Sequence, residues 1–195
     1  MVAASAAAQP SATNAPVQPQ SFSVIVQPGE FVGATQITRD LIQCGTNQFS
    51  FVLPPELSTD RLEPRSLRLI SGDGRFYVTF RLLGTEPAES EASAAEARKA
   101  RALGEHPHTG SVEEFPVTVA NRSGYGLAFR ERQTGIGERL VRLAWVPCKA
   151  GTLEFTLNSD PKIVATALRA FESLLLTFRS NETGRLEVIR FSAES

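Results

Sequence analysis

Only two histidines, two cysteines and one tryptophan occur among 195 residues, and each scarcity closes off a class of chemistry. Cys44 and Cys148 lie outside any CxxC pair, so the common zinc and thioredoxin-like spacings are absent. His106 and His108 flank Pro107 beside Glu105, with Glu113 and Glu114 downstream. In extended chain both imidazoles would point the same way and reach one ion. The segment around them has almost no apolar anchor, however, and a metal site needs a rigid surrounding shell. They read as exposed loop residues, and neither a metal nor a cofactor is expected.

The same placement argues against a His-dependent nucleophile, which needs its base within hydrogen-bond reach. No GxSxG elbow is present. Gly124-Tyr125-Gly126 and Gly135-Ile136-Gly137 lack the GxxxxGK(S/T) and GxGxxG contexts of phosphate loops and read as turns. No pair of carboxylates stands out by spacing, and Glu131 and Glu138 read as a solvated hairpin edge. No catalytic residue is assigned.

Charge is scarce at the start: no Lys or Arg precedes Arg39, and Glu30 is the only acid before it. Residues 1–20, rich in Ala, Pro and Gln, read as a flexible leader or arm, because Pro-interrupted Ala/Gln sequence cannot bury enough apolar surface to offset the entropy of ordering it. They lack the basic n-region and long apolar core of a secretory signal, yet resemble the small-residue end of one followed by a spacer. Periplasmic or extracellular placement is therefore favoured over cytoplasmic. No run of about 18 apolar residues occurs, so no transmembrane helix is expected. The formal net charge of −1 gives no overall pull toward phosphate backbones, and nucleic acid is not an expected partner.

Residues 21–195 read as a single β-rich domain. Phe22, Val24 and Val26 alternate with polar neighbours up to the turn signal Pro28-Gly29. A short strand over Gln36–Ile42 follows, then Phe49, Phe51 and Leu53 until Pro54-Pro55 stops the ladder. The clearest local pattern is a hairpin, with Leu67–Ser71 and Arg75–Leu83 joined by Gly72-Asp73-Gly74. Residues 85–111 break the period: Ala- and Glu-rich, acidic early and basic late, they predict an exposed helical excursion. Alternation resumes at Phe115, and Leu127–Arg132 with Arg139–Val146 predicts a hairpin that carries Val141, Leu143 and Trp145 on one face. Leu153, Phe155 and Leu157 make another strand before Asp160-Pro161, an N-cap followed by proline at the first helical position. Ile163, Ala167, Leu168 and Phe171 then space a helix of about ten residues. Leu174–Arg179 and Arg185–Phe191 predict a closing hairpin. The expected fold is mainly β: an antiparallel β-sandwich or bent open barrel of about nine or ten strands, with one short packed helix and one exposed helical excursion.

The features that remain for function are surface ones. Arg68, Arg81, Arg142, Arg179 and Arg190 interleave with apolar strand residues and would form a contact surface if they share a sheet face; otherwise each lays its stem over the sheet and points its head to water. Tyr77, Tyr125 and Trp145 are the aromatic rings a ligand could stack on. Cys44 and Cys148 both sit at strand ends, where a disulfide would staple two sheets in an oxidising compartment. The leading expectation is a non-enzymatic structural or adaptor β-module, working through contact with another protein or as a homo-oligomer. An exported glycan- or small-ligand-binding domain is the alternative, and a carboxylate-dependent hydrolase the third.

Overall fold

The structure, a computed structural model, describes residues 21–32, 35–45, 47–84 and 90–181. It is mainly β, with two open antiparallel sheets. The smaller has the order β1 (Phe22–Val32), β2 (Thr35–Cys44), β3 (Asn47–Val52), β11 (Arg179–Asn181). The larger has seven strands: β4 (Leu57–Glu63), β5 (Ser66–Ser71), β6 (Phe76–Leu83), β10 (Gly151–Ser159), β9 (Gly137–Cys148), β8 (Arg122–Gln133) and β7 (His108–Val119). Among the described residues two α-helices complete it, α1 (Glu91–Glu105) and α2 (Val164–Thr177), the second entered through a 3-10 turn at Pro161–Ile163. No helix among the described residues is long and apolar enough to cross a membrane.

The period-two pattern decides which side of each strand is buried. In β6, Phe76, Val78, Phe80 and Leu82 are buried while Tyr77, Thr79, Arg81 and Leu83 are half-buried on the other face. The turn into β6 is held by Asp73, whose carboxylate accepts from Ser71 Oγ at 2.7 Å and from the Arg75 amide at 3.0 Å. Those two bonds hold its carboxyl below the usual range. The core lies between the sheets: the Phe80 ring sits 5.3–5.6 Å from the rings of Phe22, Phe49, Phe155 and Phe178. Helix α2 enters the same core with Ala167, Ala170, Phe171, Leu174 and Leu175.

Helix α1 connects β6 to the far edge strand β7, four positions across the sheet. That span is roughly 19 Å at the usual strand spacing, and 15 helical residues cover about 22 Å. Along most of its surface α1 is exposed, as expected. Ala94, Arg98 and Ala102 form a buried stripe at i, i+4, i+8, which roofs Trp145, Leu127 and Leu143 on the outer face of the large sheet. The excursion is also shorter than residues 85–111, because β7 already begins at His108.

Several local expectations change. β4 is an unforeseen strand: past Leu57 all its residues are exposed, so it carries no alternation to read. α2 runs through Thr177, where a strand from Leu174 was expected, because Leu174 and Leu175 continue the inward helical spacing of Ala167 and Phe171. Gly124-Tyr125-Gly126 is not a turn but the middle of β8. A Cβ at Gly124 would collide with the Trp145 carbonyl oxygen, and one at Gly126 with the Phe115 ring. The actual β7–β8 turn is Ala120-Asn121, both at positive φ, the geometry of a tight hairpin. The Gly135-Ile136-Gly137 turn forms as read, with φ of 79° and 99° at its glycines. The leader, residues 1–20, and the expected strand Arg185–Phe191 lie outside the described residues.

Candidate functional site

Antiparallel register places the outer-face residues of the large sheet in rows. One row runs Ser66, Arg81, Glu154, Trp145, Tyr125; the next runs Arg68, Thr79, Thr156, Leu143, Leu127; the third runs Ile70, Tyr77, Asn158, Val141, Phe129. The right-hand end of each row lies in the apolar cluster that α1 completes. The left-hand ends form a polar strip around Tyr77, Thr79 and Thr156, all half-buried.

Each charge in the strip is fixed by a neighbour. Glu154, 2% exposed, accepts from Arg81 Nε at 2.6 Å through Oε1 and from Trp145 Nε1 at 2.8 Å through Oε2. Arg68 Nε lies 2.8 Å from Asp60 Oδ2 in an ion pair, its N–H aimed off the carboxylate, and its Cζ stands 4.5 Å from the Tyr77 ring centre. Arg139 Nε donates to Asn158 Oδ1 at 2.7 Å. Burial pushes the Tyr77 hydroxyl above its ordinary pKa, opposed by the charges of Arg68 and Arg139. Arginines held this way present oriented guanidinium donors at low entropic cost to whatever docks on them.

The five arginines of the expected contact surface do not share one face. Arg68 and Arg81 do, and Arg139 joins them. Arg142 points to the opposite side, its Cζ 4.0 Å over Phe115 and its Nη1 3.8 Å from Glu172 of α2. Arg179 sits exposed on β11 of the other sheet, and Arg190 lies outside the described residues. The aromatic trio is divided too. Trp145 is fully buried; Tyr125 packs 5.1 Å from it, donates its hydroxyl to the Ala95 carbonyl and lies under Arg98. Only Tyr77 belongs to the open strip, with one ring face taken by Arg68.

Arg98 was missed by sequence reasoning. It is 1% exposed, donating through Nε to the Ala94 carbonyl at 3.2 Å, through Nη1 to Thr152 Oγ1 at 3.0 Å and through Nη2 to Glu91 at 2.6 Å. Glu154, Asn158 and Arg139 were missed as well. Glu154 had a signal, a charge between Leu153 and Phe155 in a buried strand, but its partner Arg81 is 73 residues away.

The buried carboxylates do not converge. Glu154 and Glu131 are two strands and three rows apart on the outer face. Asp40 belongs to the small sheet, where burial raises its carboxyl above the ordinary range. His106 Nδ1 lies 3.4 Å from Glu131 Oε2 and His108 is opposite Glu131 in the β7–β8 ladder. Even so, no group of three His, Cys, Asp or Glu side chains among the described residues is arranged to hold a metal ion. Cys44 and Cys148 are thiols, on β2 and β9, packed against the same core. Burial pushes the Cys44 thiol up, partly offset by the charge of Arg65.

No family model and no curated protein matches the sequence. Among solved structures, the chain is similar to a point mutant of Mog1, at 12% identity over 67% of this chain and 89% of that one, TM-score 0.48. It is similar to the Ran-binding protein Mog1p of Saccharomyces cerevisiae, at 12% identity over 80% and 96%, TM-score 0.47. The cyanobacterial PsbP of Synechocystis sp. PCC 6803 matches at 9% identity over 87% and 98%, TM-score 0.45.

Proposed function

We propose that this domain is a non-enzymatic contact module that binds another protein on the outer face of its seven-stranded sheet. The observation that carries the reading is the strip that α1 leaves uncovered, where Arg68, Arg81 and Arg139 are held around Tyr77. Arg and Tyr are the side chains enriched where interfaces are most buried. The chemistry suits a partner that offers carboxylates and backbone carbonyls to the guanidinium forks. Glu154, buried and accepting from both Arg81 and Trp145, anchors Arg81 on this face. The partner is a polypeptide: a different protein on the sheet face, and a second copy of this chain at a strand edge.

The test is a photo-crosslinking residue at Thr79 in cells that make the protein, with Leu176 on the exposed side of α2 as control. A discrete protein adduct from position 79, absent from 176 and weakened by Arg68→Glu, is expected. Equal diffuse labelling from both positions would overturn the reading. A soluble glycan that protects the Tyr77 ring and is lost in Tyr77→Ala would favour the ligand-binding alternative.

A further inference from the structure

We propose that β1 is a dimerisation edge, at which residues 23–27 of two copies pair antiparallel about a two-fold axis at Ile25 and join their four-stranded sheets into one. The proposal deepens the contact-module reading by naming a second copy of this chain as one partner.

Among the described residues four strands are outermost, and β4 and β7 carry devices that block edge-to-edge pairing. β4 has Asp60, Arg61 and Glu63 and a bulge between Thr59 and Arg61. β7 has Glu113, Glu114 and Pro116 and a bulge between Thr109 and Glu113. β1 is different: from Phe22 to Gln27 it contains neither a charge nor a proline, and its first irregularity comes after Gln27. Ile25 and Val26 are 50% and 65% exposed, two of the few large apolar side chains left outside.

The phase of the edge fits. The Phe22 amide donates to the Pro64 carbonyl at 2.7 Å and not to β2. Antiparallel ladders alternate, so with the Phe22 amide turned from β2 the amides of Val24 and Val26 point away from β2 as well. The sequence Ser23-Val24-Ile25-Val26-Gln27 has the self-complementarity that an isologous contact needs. Antiparallel pairing about Ile25 sets Val24 opposite Val26, Ile25 opposite itself, and polar Ser23 opposite polar Gln27. The outward amides and carbonyls of Val24 and Val26 then make four hydrogen bonds between the copies. With no charge in the segment, the two strands do not repel.

Sedimentation of the full chain tests the proposal. The expected result is a concentration-dependent dimer. Val26→Pro removes two of the four intermolecular bonds while sparing the β1–β2 ladder, and should raise the dissociation constant roughly tenfold to a hundredfold. Ile25→Lys, which places like charges opposite each other, should leave a monomer with an unchanged fold. Ile25→Cys should oxidise to a covalent dimer, because a non-hydrogen-bonded antiparallel pair brings Cα atoms to about 4.5 Å. Exposed Ile136→Cys should not. A monomeric full chain, a dimer indifferent to both substitutions, or one that leaves position 25 uncrosslinked would overturn it. So would dimerisation only in a chain starting at Ser21, since the leader would then hold the edge. A monomer that still gives the Thr79 adduct removes the dimer and leaves the sheet-face reading intact; a dimer without that adduct does the reverse.

Discussion

On its inner face the seven-stranded sheet presents Leu67, Val78, Phe80, Leu153, Phe155 and Leu157 to the small sheet and α2, none of them more than 2% exposed. On its outer face Leu127, Leu143 and Trp145 are just as buried, yet the cover is α1, whose inward stripe is Ala94, Arg98 and Ala102. The first closure is apolar on both sides and its stability follows from the area it removes from water. The second depends on a few directed bonds from one guanidinium, and beyond α1 the face is left to paired charges. A sheet closed this unequally has a structural side and a side free to be used, and it should lose its two covers independently.

Truncating the centre of the inner face should have the largest effect. Phe80→Ala removes a ring in contact with four others and should cost about 3–5 kcal/mol by chemical denaturation. A loss no greater than that of a surface substitution would break the distinction between the faces.

The cysteines probe the same inner closure, one from each sheet. We propose that Cys44 and Cys148 are bridged when the protein resides in an oxidising compartment. The closed loop would contribute up to about 4–5 kcal/mol in the chain-entropy model, less any strain. Thiol counting under denaturing, non-reducing conditions should then find none. Two thiols in protein taken from its natural compartment would sink both the bridge and the expectation of export.

On the outer face, Arg98→Ala should cost about 2–3 kcal/mol, since Thr152 loses its partner and the stem's packing goes. Arg98→Met should recover part of that loss. Trp145, the only tryptophan, reports the change directly: acrylamide should quench it more readily in Arg98→Ala and leave it shielded in Phe171→Leu. Equal quenching in both would show that the covers are coupled.

The smallest effect concerns the 3-10 turn Pro161–Ile163 that leads into α2. Asp160 accepts from the Lys162 amide at 2.8 Å and from Arg75 Nη2 at 3.0 Å, and the Lys162 bond is the main cause of its depressed pKa. A depressed carboxyl binds its proton more weakly in the folded state, so its contribution is present above the unfolded pKa of about 3.9 and is lost as pH falls through the folded value. Asp160→Asn should lower stability slightly at pH 8, where the ionised carboxylate contributes, and match the unsubstituted chain at pH 2, so that its acid limb is flatter. An unchanged acid limb would remove Asp160 from that account.

Strands whose two faces differ were legible in the sequence. Phe76, Val78, Phe80 and Leu82 alternate because one side of β6 meets a core, and Asp73-Gly74 marks its turn through backbone geometry that few residues adopt. The fold class, the capping role of Asp160, which falls on the 3-10 turn leading into α2, and the burial of Trp145 followed from such local signals. β4 escaped because an exposed edge has no inner face to pattern it. The end of α2 escaped because Leu174-Leu175-Leu176 satisfies both a strand and a helix, and only the core contacts of Leu174 and Leu175 choose between them. The candidate site was the least legible part, since its rows are made by register across strands. Arg81 meets Glu154 from 73 residues away, Arg68 and Arg142 end on opposite faces, and Arg98 is buried because the crossover to β7 lays α1 over Trp145. Periodicity fixes which side of a strand avoids water, a short-range property of the chain; which charges meet on the remaining side depends on strand order, and only the assembled sheet supplies that.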